Sequence, residues 1–171
     1  MSYIIRRLVV TDLDAYFQNR LEALKDSPSA FLSTYDEEVG RGNQHFKNTL
    51  SHLGNEKLIF GVVHDQKILG TIGIYKEEKS KLSHRAEIWG MYISPEIRGQ
   101  GYGRKLLDVA ISFAKTEMKV HGIGLSAESN NQTAIKLYES CGFKRWGSDP
   151  YAERDSDGKF LGNDYLYLII D

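Results

Sequence analysis

A glycine-rich turn between an apolar stretch and an amphipathic stretch is the part of this sequence best suited to chemistry. The turn contains Gly99, Gly101 and Gly103, and Arg104 and Lys105 open the amphipathic stretch that follows. Glycine admits backbone conformations closed to residues with a Cβ and leaves room for a ligand against the main chain. Cations in a first helical turn oppose the helix dipole, and a bound anion would remove that conflict. The turn therefore predicts a phosphate site; the alternative is a connection whose cations are solvated.

Neither of the two common nucleotide fingerprints fits this turn. The nucleoside-triphosphate loop needs four residues between its glycines and then Lys and Ser or Thr, and that spacing is absent. The dinucleotide fingerprint Gly-x-Gly-x-x-Gly fails because position 104 is Arg. The run from Gly122 to Ala127 fits it loosely but follows a predicted helix, and we interpret that run as the start of a strand.

A second informative run follows at residues 125–143. Ala134 and Tyr138 lie four positions apart and therefore share one face of a helix. Asn131 precedes them at the position of a helix cap, and Gly142 suits the residue just after a helix end. The run predicts a short capped helix that presents Tyr138 on its inner face.

Together the two runs resemble the GNAT superfamily of acetyl-CoA-dependent N-acetyltransferases. The first run matches that family's Arg/Gln-x-x-Gly-x-Gly/Ala signature at Arg98, Gly101 and Gly103. The second matches its Asn-x-x-Ala-x-x-x-Tyr-x-x-x-Gly-Phe pattern at Asn131, Ala134, Tyr138, Gly142 and Phe143. The resemblance is strong from about Ala86 to Gly147, whereas residues 162–165 depart from the Asp-Glu-Tyr-His-Met-type run of many relatives.

The resemblance implies how acetyl-CoA binds. In the family the fourth and fifth strands splay apart, and the pantetheine arm lies between them. Its amides would satisfy backbone groups of Met91, Tyr92 and Ile93 that have no strand partner. The main chain of the turn would hold the pyrophosphate, through Arg98, Gly99, Gln100, Gly101, Tyr102, Gly103 and Arg104. Asn131 would contact the arm from the other side.

The resemblance also implies direct attack of an amine on the thioester within a ternary complex. Freeing a protonated primary amine at pH 7 costs about 4 kcal/mol, so a general base or a water chain would assist. Glu87 is the candidate base because many relatives carry a catalytic Glu on the fourth strand. Simple alternation places it on the face of Trp89 and Met91, unless a bulge intervenes. The alternatives are an ion pair of Glu87 with Arg85 or a lysine, and Glu128 as the base.

Tyr138 is the candidate acid for the departing thiolate, since the pKa values of a phenol and a thiol lie within about two units. The alternative role for Tyr138 is packing in the core. The oxyanion would lie near the backbone N–H of Met91 or Tyr92. Cys141 has no histidine at a suitable spacing, so we assign it a packing role. The histidines show no metal-ligand spacing, and no metal is expected.

The resemblance implies that the elements that position these residues form one N-acetyltransferase domain over residues 1–171. The expected fold class is α/β (α+β): a central mixed, mostly antiparallel sheet with helices on both faces and, as the resemblance implies, a parallel, splayed pair at strands 4 and 5. The predicted strands are Tyr3 to Val10, Leu58 to His64, Ile68 to Tyr75, His84 to Ser94, Gly122 to Ala127, Phe143 to about Tyr151, and Phe160 to Ile170. The first predicted helix follows a cap at Thr11 or Asp12, and the second opens at Thr34. The third runs from about Gly101 to Met118, and the fourth from Asn131 to Cys141. We interpret the carboxylates of Asp36, Glu37 and Glu38 as a solvated first turn, with contact to a cationic substrate as the alternative.

Composition limits the partners. The net charge is −1, which disfavours a nucleic-acid partner, and no apolar run is long enough to span a bilayer. Cys141 is the single cysteine, which fits the reducing cytoplasm. The expected acceptor is an amine on a small molecule, a protein N-terminus or a lysine, and the chain is expected to be a monomer or homodimer. The alternative function is a non-catalytic acyl-CoA-binding sensor on the same fold.

Overall fold

Seven strands form one sheet in the computed structural model, which describes residues 3–170. The strands are β1 (Ile4–Arg7), β2 (Lys57–His64), β3 (Lys67–Lys76), β4 (Arg85–Ile93), β5 (Gly122–Glu128), β6 (Lys144–Arg154) and β7 (Phe160–Ile169). Their order across the sheet is β1-β2-β3-β4-β5-β7-β6. The helices are α1 (Leu13–Asp26), α2 (Tyr35–Ser51), α3 (Tyr102–Phe113) and α4 (Gln132–Ser140), with short 3₁₀ turns between elements.

The sheet has the predicted mixed topology. β4 and β5 are parallel, and every other neighbouring pair is antiparallel. The parallel pair follows from the connection through α3, since parallel neighbours need a crossover. The expectation of a single mixed sheet with helices on both faces is confirmed.

Each face of the sheet has its own core. On one face, Leu106 and Leu107 of α3 pack with Ile72 of β3. On the other, Phe46 of α2 packs with Ile59 of β2. Burial of each such side chain contributes about 1.5–3 kcal/mol, so both helix layers are held against the sheet mainly by apolar area.

The first strand is shorter than predicted. It ends at Arg7, and the chain turns into a 3₁₀ segment at Val10–Asp12. The cause is Asp12, whose carboxylate accepts the Val9 N–H at 2.8 Å and two bonds from Arg6 at 2.7 Å. These bonds bend the chain back before the apolar run can continue as a strand.

Two predicted helix signals are present with local modifications. Thr34 and Glu37 form the expected capping box at the start of α2, and α2 breaks at Gly42, where φ is 64°. Helix α3 continues as one π-helical turn over Ala114–Met118. Among residues 3–170, no helix combines the length and apolarity that a membrane crossing requires.

A bulge in β4 changes the face on which its later side chains lie. Trp89 pairs with Gly73 and Tyr92 with Thr71, so Gly90 and Met91 stand opposite a single residue of β3. Gly90 has φ 62°, and its carbonyl accepts a hydrogen bond from the Thr71 hydroxyl at 3.3 Å. Bulges of this kind re-aim the residues that follow.

The bulge corrects one prediction. Simple alternation placed Met91 on the same face as Glu87 and Trp89. In the structure Met91 packs with the α3 core, whereas Trp89 packs with the core beneath α1 and α2. The reason is the extra residue at Gly90, which shifts the alternation by one position.

Candidate active site

The edges of β4 and β5 separate partway along their length. The two strands pair only over residues 85–87 and 122–124. β4 continues along β3 as far as Ile93, and β5 continues along β7 as far as Glu128. The facing edges beyond Glu87 therefore have no strand partner within the described chain, and their backbone groups are available to a ligand. The predicted splay is present.

A cavity of about 660 Å³, here called the main cleft, opens beside this gap. Most of the predicted cofactor-binding residues line it, together with Tyr138: they are Met91, Tyr92, Ile93, Arg98, Gly99, Gly101, Tyr102, Gly103, Arg104 and Asn131. Gln100 is not among them, and its side chain donates to the Glu96 carbonyl at 3.1 Å. The strand edge, the glycine turn and α4 are thus brought to one cavity.

The glycines of the turn serve two different purposes. Gly99 and Gly101 have φ of 73° and 81°, the left-handed region that favours glycine. Gly103 has ordinary helical backbone, but a Cβ there would lie 3.2 Å from Leu137 Cδ2. The first two shape the turn, and the third lets α3 and α4 approach closely.

The cations of the turn already have partners. Arg104 Nε lies 3.0 Å from the Asp108 carboxylate, and Arg104 also donates to the Ser140 carbonyl at 3.2 Å. Lys105 Nζ lies 4.6 Å from the centroid of the Tyr102 ring. The unfavourable interaction of these cations with the helix dipole was the reason to expect a bound anion. The carboxylate of Asp108 already offsets part of it.

Arg98 joins the turn to the end of α1. Its Nε donates to the Ile93 carbonyl at 2.9 Å, and its guanidinium forms an ion pair with Asp26. Hydrogen bonding to Arg98 lowers the pKa of Asp26 from its usual value. Through this pair, the segment that follows α1 is held beside the main cleft, which Ser27 of that segment lines.

Asn131 lies at the predicted cap position. Its side-chain oxygen accepts the Ala134 N–H at 3.1 Å, which satisfies one of the free donors at the start of α4. Asn131 also borders the main cleft. The cap therefore fixes both the helix start and the position of this amide in the cavity wall.

Tyr138 is buried at the inner end of the main cleft. Its hydroxyl lies 3.6 Å from Met91 Sδ, and its ring meets Phe143 edge-on at 6.0 Å. Burial raises the pKa of Tyr138 to about 12. The phenol is consequently protonated near neutral pH and can donate a hydrogen bond.

A narrow cavity of about 80 Å³, here called the throat, passes between the separated strands. It shares Met91 and Tyr138 with the main cleft. On its other side it shares Trp89 and Ser126 with a cavity of about 310 Å³, here called the side pocket. The main cleft and the side pocket have no lining residue in common, so the throat is where they meet.

Glu87 lies in the side pocket and not in the main cleft. Its carboxylate is half-buried and pairs with Arg85 Nη2 at 3.2 Å. Burial raises the pKa of Glu87, and the charge of Glu77 adds to the rise, while Arg85 opposes it. Opposite it, a Cβ at Gly124 would lie 2.4 Å from either carboxylate oxygen, so the carboxylate occupies space that only glycine leaves free.

Glu128 borders the throat and is already engaged. One oxygen accepts the Ser29 hydroxyl at 2.7 Å, and the other lies 3.5 Å from Asn130 Nδ2. The two candidate bases therefore lie in different places, Glu87 on the side-pocket end and Glu128 at the throat itself.

The family is decided by a sequence comparison. A model of the family described as "Acetyltransferase (GNAT) family" matches residues 17–143, most of the chain. This chain is a member of the GNAT acetyltransferase family. The resemblance drawn from the glycine turn and the Asn131–Tyr138 run is confirmed.

Two curated relatives match part of this GNAT chain. Spermidine N(1)-acetyltransferase of Vibrio cholerae is 33% identical over 76 residues, which cover 44% of each chain. Mycothiol acetyltransferase of Acidothermus cellulolyticus is 35% identical over 68 residues, covering 40% of this chain and 20% of that protein. The chain thus spans less than half the length of either relative.

The GNAT fold extends over the whole chain. The structure of yncA from Salmonella typhimurium with its cofactor acetyl-CoA superposes with a TM-score of 0.81. The two chains are 20% identical, and the match covers 100% of this chain and 95% of that one. At this identity the likeness shows a shared fold.

Sequence reasoning missed several residues at the GNAT site. Trp89, Gly90 and Ser126 line the throat, and none was predicted to be functional. A glycine inside an otherwise apolar strand was the available signal for Gly90, because such glycines mark bulges and close approaches. Trp89 and Ser126 carried no comparable signal.

The prediction that the whole first turn of α2 is solvated is wrong for Glu38. Its side chain is buried, with 4% of the residue exposed, and it lies 3.4 Å from both Arg20 and Arg41. Asp36 and Glu37 are exposed as expected. The difference arises from Arg20, which belongs to α1 and reaches Glu38 only through the packing of the two helices.

Two further features carry no chemistry at this site. Cys141 is half-buried beside the end of α4, and burial raises the pKa of its thiol, as suits a packing role. Within residues 3–170, no group of three or more His, Cys, Asp or Glu side chains is arranged to hold a metal ion.

Proposed function

We propose that this GNAT protein is an N-acetyltransferase that moves the acetyl group of acetyl-CoA to an amine acceptor by direct attack in a ternary complex. The observation that carries the proposal is the throat, which joins the main cleft to the side pocket through the gap between β4 and β5. A thioester placed in the throat from one side is open to an amine from the other.

The residues of the main cleft fit acetyl-CoA. The edge of β4 at Met91, Tyr92 and Ile93 has no β5 partner and offers backbone groups suited to the amides of a pantetheine arm, while the Ile93 carbonyl already accepts a hydrogen bond from Arg98. The turn at Gly99 and Gly101 offers main-chain N–H groups and open space for a pyrophosphate. When bound there, acetyl-CoA supplies an activated acetyl thioester.

Glu87 is proposed as the group that removes the proton from the acceptor amine, directly or through water. Its raised pKa moves it toward the range in which a carboxylate accepts a proton effectively. The Arg85 guanidinium 3.2 Å away opposes this rise and favours the ionised carboxylate, the form that a base requires. Glu128 is the second candidate, and its bond with Ser29 reduces its availability.

Tyr138 is proposed to donate a hydrogen bond to the departing thiolate. Its raised pKa keeps the phenol protonated, so its role is donation of a hydrogen bond more than complete transfer of the proton. The bulge at Gly90 and Met91 leaves an N–H of β4 outside the ladder with β3, and such a donor can stabilise an oxyanion.

A non-catalytic acyl-CoA sensor is the second candidate. The observation that favours it is the ion pair of Arg85 with Glu87, which engages the proposed base. A sensor would bind acetyl-CoA in the main cleft and release no thiol with any amine.

One experiment separates these functions. Acetyl-CoA binding is measured by calorimetry, and free-thiol release is measured with a panel of alkylamines, diamines, amino acids, amino amides and short peptides. Binding together with amine-dependent thiol release supports the acetyltransferase. Binding without release from any amine supports the sensor, and absence of binding contradicts both.

A further inference from the structure

A second cavity of about 310 Å³, here called the helix pocket, adjoins the side pocket. It lies between α1, α2 and the sheet and is lined by Arg20, Glu38 and Lys57, among others. It shares Tyr75 and Trp89 with the side pocket, so a molecule that reaches Glu87 can extend past these rings into the helix pocket.

Glu38 brings an unpartnered acceptor to the helix pocket. Its Oε1 lies 3.4 Å from Arg20 Nη2 and from Arg41 Nη1, while its buried Oε2 has no hydrogen-bond partner. A buried polar atom without a partner costs about 1–3 kcal/mol. A ligand N–H in the pocket would remove that cost.

Trp89 brings an unpartnered donor to the same wall. Its indole Nε1 is buried and has no acceptor. The ring lies flat against β3, where a Cβ at Gly73 would come within 2.3 Å of it, so the ring is held in place by packing. A ligand carbonyl could accept the hydrogen bond that this indole N–H does not make within the protein.

The charges of the helix pocket decide between ligand classes. A second ammonium on the ligand would be attracted by Glu38 but repelled by Arg20 and Lys57, and a carboxylate would be attracted by Arg20 and Lys57 but repelled by the free oxygen of Glu38. A neutral amide avoids both repulsions. Its N–H suits Glu38, and its C=O suits Trp89 or the two cations.

We propose that the acceptor is an amino amide whose amine and amide are separated by about three methylene groups, with its amine beside Glu87 and its amide in the helix pocket between Glu38 and Trp89. This inference rests on the proposed function, because it assigns the acceptor of the same site. Glu87 and Trp89 are two positions apart on one strand, roughly 7 Å. An extended chain of three methylene groups between amine and amide spans roughly that distance.

Four matched compounds test the inference on the unmodified protein. They are 4-aminobutanamide, 4-aminobutanoate, 1,4-diaminobutane and pentylamine, which have similar lengths and each carry a primary amine at one end; the other ends are an amide, a carboxylate, a second amine and a methyl group. We expect kcat/KM for the amide to exceed each of the others by about tenfold, the effect of one satisfied buried pair. Equal values, or a preference for the diamine or the acid, overturn the inference.

Binding separates failure of the inference from failure of the proposed function. Calorimetry with the protein saturated with coenzyme A measures the affinity of the same four compounds without turnover. Preferential binding of the amide without thiol release from acetyl-CoA upholds the pocket assignment and contradicts the acetyltransferase. Thiol release with all four compounds at equal kcat/KM, together with equal affinities, upholds the acetyltransferase and contradicts the pocket assignment.

Two variants locate the effect. Glu38→Gln keeps the size of the side chain and removes its charge, and we expect the amide-to-pentylamine ratio of kcat/KM to fall several-fold. Trp89→Phe removes only the indole N–H from an aromatic wall, and we expect a fall in the same ratio. Asp36→Asn is the matched control, because Asp36 is an exposed carboxylate two positions earlier in α2. An unchanged ratio in both test variants contradicts the inference even if one of them folds poorly.

Discussion

The phenol oxygen of Tyr138 lies 3.6 Å from the sulfur of Met91 across the main cleft. This contact joins α4 to β4 at the point where β4 has lost its partner β5. Both residues also line the throat. The hydroxyl therefore faces the place where the proposed reaction would release a thiolate.

Replacing that hydroxyl should affect turnover more than binding. We expect Tyr138→Phe to lower kcat by about 100-fold, the usual size of a lost hydrogen-bond donor to a developing negative charge, with little change in the affinity for acetyl-CoA. Steady-state rates and calorimetry measure the two quantities. Tyr35→Phe, on the outer helix α2, is the control. An undiminished kcat in Tyr138→Phe would remove the phenol from the mechanism.

The pH dependence of kcat/KM should report Glu87. A general base works when deprotonated, so the rate rises with pH through the pKa of Glu87, which burial raises. Arg85 lowers that pKa and Glu77 raises it. We therefore expect Arg85→Gln to move the acidic limb to higher pH and Glu77→Gln to move it to lower pH. Glu87→Gln should remove the limb, and shifts in the same direction for both neighbours would argue for another base.

A bulky side chain in the glycine turn should block cofactor binding. We expect Gly101→Trp to abolish acetyl-CoA binding in calorimetry, because the indole would fill the space left for the pyrophosphate. Gly158→Trp is the matched control, since Gly158 also has φ 81° and open surroundings but lies in the turn between β6 and β7. Both variants carry the same backbone strain of about 1–2 kcal/mol. Unchanged affinity in Gly101→Trp would disprove the placement of the pyrophosphate.

Asp164 should be important for stability without being part of the site. Its buried carboxylate accepts from Ser129 at 3.0 Å, from Arg145 at 3.0 Å and from Ser148. We expect Asp164→Ala to lower the free energy of unfolding by about 2 kcal/mol, the size expected for the loss of hydrogen bonds to a charged group. Asp157→Ala, in the exposed β6–β7 turn, should have little effect on the midpoint of thermal unfolding.

The same carboxylate gives a pH signature. Hydrogen bonds from Ser148 and its neighbours lower the pKa of Asp164 in the folded protein. The stability that it contributes is present above its ordinary pKa and is lost as the pH falls through the lowered value. Unfolding measured between pH 6 and pH 3 should therefore show a steeper acid loss in the parent protein than in Asp164→Ala.

Local signals predicted much of the fold and of the main cleft. Gly99 and Gly101 have the left-handed backbone that their spacing indicated, and Asn131 caps α4 as its position indicated. These outcomes depend on a few neighbouring residues. The same holds for the capping box of Thr34 and Glu37.

Features that depend on distant partners were not predictable in this way. The bulge at Gly90 depends on the register of β4 against β3, and it decides which cavity Met91 faces. Glu38 is buried because Arg20 from another helix pairs with it, although its local sequence resembles a solvated turn. Burial and register are properties of the assembled sheet and helices, and neither is encoded in a short window of sequence.

The separation of the main cleft from the side pocket affects the order in which reactants can bind and products can leave. Each cavity has its own mouth, and the two share no wall residue, so an occupant of one leaves the approach to the other open. Under the proposed reaction, either reactant can bind first, and coenzyme A can leave while the acetylated product is still bound. Double-reciprocal plots of initial rate should show intersecting lines, and each product should be a competitive inhibitor only against the reactant that binds in the same cavity.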